Sequence, residues 1–142
     1  MTQLLDARTS QNASFNNSIS IPITVINTPQ LAGQVGLETG LATSLIRAQF
    51  NGIVTLQLPL IPLATTINVF VVRGTLPTDP EVFGVSEALN LAILGPQSIT
   101  FTGSDYNVPL TSFLTYTMFV SSTALGAIRV GPESFNAAAY FG

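Results

Sequence analysis

The sequence contains no histidine, no cysteine and no lysine. Without histidine it lacks the most common general base and nitrogen ligand for metals, and it cannot form a serine–histidine triad. Without cysteine it can form neither a disulfide nor a thiolate metal site, and it has no cysteine nucleophile. The absence of lysine also excludes a serine–lysine pair. We therefore expect no enzymatic activity, no metal and no cofactor.

Charged residues are also scarce. They make up 8% of the 142 residues, against roughly 25% in an average soluble domain. The four arginines and seven acidic residues give a net charge of −3, which is too little positive charge to bind nucleic acid or an anionic membrane. A surface with so few charges is poorly suited to a monomer. We expect copies of the same chain, or another partner, to cover much of it, and oligomerisation is the default interpretation.

Long apolar runs are missing as well. The mean hydropathy is +0.49, but no apolar run approaches the roughly 20 residues that a membrane-spanning helix needs. The amino terminus has neither the basic start nor the apolar core of a secretory signal, so we expect no classical signal peptide. The apolar residues are instead dispersed among polar ones.

What is present is an alternation of apolar and polar residues that is typical of half-buried strands. In residues 19–25 the alternation is strict, and Pro22 favours an edge strand. Asn51-Gly52 predicts a two-residue hairpin between two alternating arms. Residues 81–94 fit a helix or a strand, and we favour a strand because their neighbours are β. The eight to ten short strands, without amphipathic helices, predict an all-β, antiparallel, jelly-roll-like sandwich over residues 18–142.

Residues 1–17 differ in composition from the rest, because they are mostly polar. Only Leu4, Leu5 and Phe15 are large and apolar apart from the initial methionine. One interpretation is a frayed terminus. The other is a flexible connector peptide, whose Leu4, Leu5 or Phe15 contacts a neighbouring subunit by adding to a sheet edge or filling a pocket.

Few side chains remain for binding chemistry. Asp79 and Glu81 flank Pro80 in a proline-rich segment, where two acids are far more often solvated than catalytic. With Asp105 they could bind calcium only if their loops met in space. A second hypothesis is therefore a binding module, such as a lectin-like or adhesive tip, that uses the loops near Asp79 and Asp105.

Two segments resemble known proteins. Residues 73–80, Arg-Gly-Thr-Leu-Pro-Thr-Asp-Pro, and residues 129–136, Arg-Val-Gly-Pro-Glu-Ser-Phe-Asn, resemble segments of spore-associated proteins of Firmicutes. The Thr-, Val- and Gly-rich strand pattern is similar to the head domain of collagen-like exosporium glycoproteins. The resemblance covers roughly residues 19–137. It implies a trimeric jelly roll of the tumour-necrosis-factor and C1q type.

The same resemblance implies a spore-surface or extracellular protein, namely the subunit of a fibre such as an endospore appendage. Spore outer layers are released by lysis of the mother cell, so such a subunit needs no signal peptide. The chain differs from the glycoproteins in having no Gly-X-Y run. It differs from the better-known appendage subunits in having no cysteine, so packing and peptide insertion would have to join trimers into a fibre, and a further protein would anchor it. A phage structural protein is a third hypothesis.

Overall fold

The computed structural model describes residues 1–142 and consists of ten β-strands connected by turns and loops, with no helix. The strands are β1 (Gln3–Ala13), β2 (Ile21–Pro22), β3 (Gln30–Glu38), β4 (Ile46–Gln57), β5 (Thr66–Arg73), β6 (Glu81–Ala88), β7 (Gln97–Val108), β8 (Phe113–Ser122), β9 (Ile128–Arg129) and β10 (Glu133–Phe141).

The strands form two antiparallel sheets. The six-stranded sheet has the order β1-β10-β4-β9-β2, and β7 pairs with β4 on the edge opposite to β10. The four-stranded sheet has the order β3-β8-β5-β6. The chain crosses between the sheets at most loops, as in a jelly roll. The prediction of an all-β, antiparallel, jelly-roll-like sandwich with eight to ten strands is confirmed.

The core lies between the inner faces of the two sheets, and the alternation seen in the sequence places its residues there. In β4, for example, Ile46, Ala48 and Phe50 are buried, whereas Gln49 and Asn51 between and after them are exposed. Phe50 is central: its ring lies 5.7 Å from that of Tyr116 and 6.2 Å from that of Phe135. Burial of these aromatic rings is a large part of what holds the sheets together.

The sequence analysis predicted a flexible amino-terminal extension, and the structure corrects this prediction. β1 is part of the six-stranded sheet and pairs with β10. Three of its side chains also bond to the backbone of β3 in the other sheet. Asp6 accepts from the Glu38 N–H at 2.9 Å, Ser10 accepts from the Gln34 N–H at 3.2 Å, and Asn12 donates to the Ala32 carbonyl. These bonds, which we call the β1–β3 latch, satisfy groups on an edge strand that would otherwise be free to pair.

The predicted hairpin at Asn51-Gly52 is wrong, because both residues lie inside the continuous strand β4. Gly52 is required here by packing: a Cβ at this position would lie 2.7 Å from the Phe101 ring and 2.9 Å from Sδ of Met118. Residues 19–25 form only the two-residue strand β2, and residues 89–94 follow β6 as a loop. The strand predicted over residues 81–94 is therefore correct for residues 81–88 and wrong for residues 89–94.

Candidate assembly surfaces

The three predicted contact residues lie far apart. Leu4 is 59% exposed on the outer face of the six-stranded sheet, paired with Tyr140, and Phe15 is 75% exposed in the turn after β1. Leu5 is half-buried and packs against the core. Because a strand advances about 3.3 Å per residue, roughly 30 Å separates the leucines from Phe15. The structure does not bring them into one surface, and their role between subunits stays a prediction.

One end of the sandwich exposes a concentration of aliphatic side chains that the sequence analysis missed. We call it the apolar end, and it consists of residues 19–29, 58–65, 89–96 and 123–127, none of which is charged. Its nine most exposed aliphatic residues, which are 42–91% exposed, are Val25, Ile26, Leu60, Ile61, Leu63, Leu91, Ile93, Leu94 and Leu125. Apolar patches of this kind on soluble proteins mark contact surfaces.

Backbone hydrogen bonds hold the segments of the apolar end together. The Leu89 N–H donates to the Thr65 carbonyl at 2.9 Å, the Thr123 N–H to the Thr66 carbonyl at 3.1 Å, and the Asn27 N–H to the Ser122 carbonyl at 2.8 Å. The first bond joins segments 58–65 and 89–96 to each other, and the other two tie segments 123–127 and 19–29 to the ends of β5 and β8. The exposed aliphatic side chains therefore lie on loop segments that backbone hydrogen bonds anchor.

A signal for this surface was present in the sequence. Residues 58–64 read Leu-Pro-Leu-Ile-Pro-Leu-Ala, and residues 89–94 read Leu-Asn-Leu-Ala-Ile-Leu. Because apolar residues alternate in both, we interpreted residues 58–60 as the end of the second hairpin arm and residues 89–94 as part of a strand. Two prolines within four residues argue against a central strand. An uncharged, proline-flanked apolar run was thus the indication of an exposed apolar loop.

The opposite end is formed by residues 39–45, 74–80 and 109–112, and it contains two neighbouring cavities. One, of about 410 Å³, is lined by Gly74, Thr75, Asp79, Thr111 and Leu114, among others. The second, of about 560 Å³, is lined by Leu5, Glu38, Gly40, Leu41 and Ser112. Phe113 lines both cavities and is 53% exposed, so the two cavities adjoin at this residue.

The outer face of the six-stranded sheet is uncharged across most of its width. The register aligns Thr9, Asn136, Asn51 and Thr102 in one row across four strands, and Nδ2 of Asn136 donates to Oδ1 of Asn51 at 3.0 Å. Arg47 is the one charged side chain on this face and donates to Oγ1 of Thr2 at 3.0 Å. The face offers hydroxyl and amide groups for contacts rather than charge.

Two of the three acidic residues considered for ligand binding are engaged within the fold, and Glu81 is exposed. Asp105 is 5% exposed and accepts two hydrogen bonds from Arg73, at 2.7 and 2.8 Å, and one from the Tyr116 hydroxyl at 2.8 Å. Asp79 accepts from the N–H groups of Thr75 and Leu76, at 2.9 and 2.8 Å, and so holds its own loop. No group of three or more acidic side chains converges.

These contacts explain the titration of the cluster. Burial by itself would raise the pKa of Asp105, but the hydrogen bonds from Arg73 and Tyr116 and the positive charge of Arg73 outweigh it, and the pKa is lowered. Burial, followed by the hydrogen bond to Asp105, raises the pKa of Tyr116 well above its ordinary value. Asp105 is therefore a charged anchor between β7, β5 and β8.

A second charged cluster is fully enclosed. Arg129 is 4% exposed and Glu133 is fully buried, and Nε of Arg129 donates to Oε2 of Glu133 at 2.9 Å. Arg129 also donates to the Leu31 carbonyl at 3.2 Å, and Asn12 donates to Oε1 of Glu133 at 2.9 Å. No buried side-chain nitrogen or oxygen lacks a partner. Two of the four arginines thus serve the interior of the fold.

The fold and these surfaces define a jelly-roll protein with one exposed, uncharged apolar end. No protein-family model matches the sequence, and no curated protein matches it. The structure contains no helix with the length and apolar character to cross a membrane.

Solved structures share the fold. A chain from the structure of infectious bursal disease virus, Gx strain, is similar over 99% of this chain and 38% of its own length, with a TM-score of 0.52 and 8% identity. Dimeric latent PorU from Porphyromonas gingivalis is similar over 96% of this chain and 12% of its own, with a TM-score of 0.51 and 7% identity. Eiger TNF from S. frugiperda is similar over 96% of this chain and 92% of its own length, with a TM-score of 0.48 and 8% identity. This chain therefore spans well under half of the first two proteins, and the similarity is one of fold.

Proposed function

We propose that this protein is a structural subunit that assembles with copies of itself through the ends of its jelly roll. The observation that carries the proposal is the apolar end, where nine aliphatic side chains are exposed and no residue is charged. Leaving such a surface in water is unfavourable, and burying it against another subunit supplies the driving force for association. The proposed role requires no catalysis.

More specifically, we propose that the protein is the subunit of a fibre at the spore surface or outside the cell, and that the fibre is built from homotrimers. Its support is the sequence resemblance to spore-surface proteins of Firmicutes, together with the jelly-roll topology. Leu4 and Phe15 are exposed and so available for contact with a neighbouring subunit, whereas Leu5 is half-buried. Since β1 is paired along its length, contact through these side chains needs no release of the strand.

Light scattering after size exclusion, followed by negative-stain microscopy, tests self-assembly. We expect oligomers that grow with protein concentration and elongated particles at high concentration. Discrete monomers at all concentrations would refute the proposal.

Paired variants separate the surfaces. Leu60→Ser with Leu94→Ser removes apolar area from the apolar end, and Leu4→Ser with Phe15→Ser removes the predicted connector contacts. Leu31→Ser is the control, because Leu31 is 55% exposed on the outer face of the four-stranded sheet. We expect the first pair to weaken assembly strongly and the control to leave it unchanged. Normal fibres in the Leu4/Phe15 pair would contradict the connector role.

A second candidate is a structural protein of a virus or phage. The observation that favours it is the similarity in fold to a chain from a virus structure over 99% of this chain. Closed shells in place of fibres in the same micrographs would favour this candidate, and a gene neighbourhood of sporulation genes would argue against it.

A further inference from the structure

The most exposed part of the apolar end is a stiff, protruding tip. Leu60 and Ile61 are 91% and 89% exposed and lie between Pro59 and Pro62. Each proline fixes its own φ angle and restricts the residue before it. The tip therefore has few conformations to lose when it is buried in a contact.

The base of the tip is also supported. Pro59 packs on Gly126, where a Cβ would lie 2.9 Å from Cγ of Pro59, and Gly126 adopts a positive φ of +103° that favours glycine. Both the side-chain space and the backbone angle require glycine at position 126, so Pro59 packs closely there, and Leu60, Ile61 and Leu63 beyond it are exposed. The tip is convex, and none of the three cavities lies at this end.

The cavities that could receive the tip lie at the other end of the molecule, on either side of Phe113. These cavities measure about 410 and 560 Å³ and are open to solvent, so a side chain can enter them from outside. Each has room for an aliphatic side chain. Phe113, Leu114, Leu5 and Leu41 provide apolar walls.

The apolar end also has enough area for a stable contact. Its nine exposed aliphatic side chains, at roughly 100 Å² each, are on the order of the 800 Å² per partner that specific interfaces bury. Two copies joined by their apolar ends would place two convex tips against each other and leave the cavities empty. A second copy stacked in the same direction instead sets a convex tip against a concave end.

We propose that Leu60 and Ile61 of one copy insert into the two cavities beside Phe113 of the next copy. The tip and the cavities lie at opposite ends of strand β4, whose 12 residues span roughly 40 Å. One molecule therefore cannot close the contact on itself. A head-to-tail contact of this kind repeats without closure and generates a filament. This inference rests on the proposed self-assembly, and it names the contact through which copies join end to end, which we call the longitudinal contact.

Cross-linking tests the contact directly, because the natural chain has no cysteine. Ile61→Cys and Ser112→Cys are made in separate proteins, mixed in equal amounts and treated with a short bismaleimide. We expect a 61–112 cross-link in the mixture, identified by mass spectrometry of the joined peptides. A protein carrying both substitutions should give a ladder of higher oligomers. The control pair is Ile61→Cys with Ser86→Cys, which lies on the outer face of the four-stranded sheet, and it should give no such product.

The outcomes distinguish this inference from the proposed function. Oligomers that form without a 61–112 cross-link, or that give mainly 61–61 cross-links, would overturn the head-to-tail contact while leaving self-assembly intact. Monomers throughout would overturn both. As a second measurement, Ile61→Asp places a charge in the desolvated contact, and we expect at least about a tenfold rise in the dissociation constant of the longitudinal contact. Lateral oligomers and circular dichroism should be unchanged, since Ile61 is exposed in the subunit.

Discussion

At the residue scale, Gly52 shows how one missing side chain determines the packing of the core. Phe101 and Met118 occupy the space where its Cβ would lie, so the strand at this point has no side chain pointing into the core. Interiors are packed as densely as organic crystals, and an added methyl group must displace its neighbours. The position is therefore intolerant of any larger residue, although it lies in a regular strand.

We expect Gly52→Ala to destabilise the fold by about 1–3 kcal/mol through overpacking. The control is Gly95→Ala, because no atom lies within 4 Å of the Cβ that would be added there. Urea denaturation measures both free energies of unfolding. Equal midpoints for Gly52→Ala and the natural protein would mean that the Phe101 ring moves aside without cost.

A second prediction at this scale concerns pH. Because the pKa of Asp105 is lowered in the folded state, the unfolded state binds the extra proton more readily as the pH falls. The stabilisation is present above the unfolded pKa of about 3.9 and is lost as the pH falls through the folded pKa. Asp105→Asn should remove this part of the acid sensitivity and cost about 3 kcal/mol at neutral pH, since Arg73 loses its charged partner.

Denaturation in urea at several pH values between 2 and 7 measures this effect. Glu87→Gln is the matched control, because Glu87 is exposed and has no hydrogen-bond or ion-pair partner. An acid transition that is unchanged in Asp105→Asn would show that other carboxylates dominate it.

At the scale of elements, the β1–β3 latch joins the two sheets along one side of the sandwich. Asp6, Ser10 and Asn12 alternate with outward-facing residues and so reach the same neighbouring strand. The Glu38 N–H, the largest contributor, and Arg8 lower the pKa of Asp6. The latch covers an edge that would otherwise be open to another chain, so it also directs assembly towards the ends of the molecule.

Asn12→Ala should weaken this latch, because it leaves the buried Glu133 carboxylate with one donor fewer and the Ala32 carbonyl without its partner. We expect a loss of about 1–3 kcal/mol in the free energy of unfolding. Amide hydrogen exchange in β1 and β3 should rise more than in β5. Asn16→Ala, in the exposed turn after β1, serves as the control. Uniform exchange changes across the whole protein would argue against a local latch.

At the scale of the whole molecule, scarcity of charge and exposure of aliphatic side chains act together. Two of the four arginines pair with buried acids, so still less charge remains to keep molecules apart. The apolar end contributes none. Association is therefore expected to depend on the hydrophobic effect and only weakly on electrostatic steering.

This gives a prediction about solution conditions. Raising sodium chloride from 50 to 500 mM, about a threefold change in Debye length, should leave the association constant nearly unchanged, whereas cooling should weaken association and sulfate should strengthen it. Sedimentation velocity at a series of protein concentrations measures each effect. Strong dissociation by sodium chloride would indicate that ion pairs such as those available to Arg8 or Glu38 carry the contacts.

The sequence by itself determined the class of fold and the absence of histidine, cysteine and lysine side chains. Period-two alternation in a segment such as residues 81–88 depends only on neighbours along the chain, and it therefore predicted a strand there. Tertiary structure decided what depended on distant residues. Residues 3–13 form a strand because β10 and the edge of β3 offer partners, and Asn51-Gly52 continues a strand because Phe101 fills the space above the glycine. The same holds for the apolar end. Whether an aliphatic run is core or surface depends on what packs over it, and nothing in this chain packs over Leu60 and Ile61.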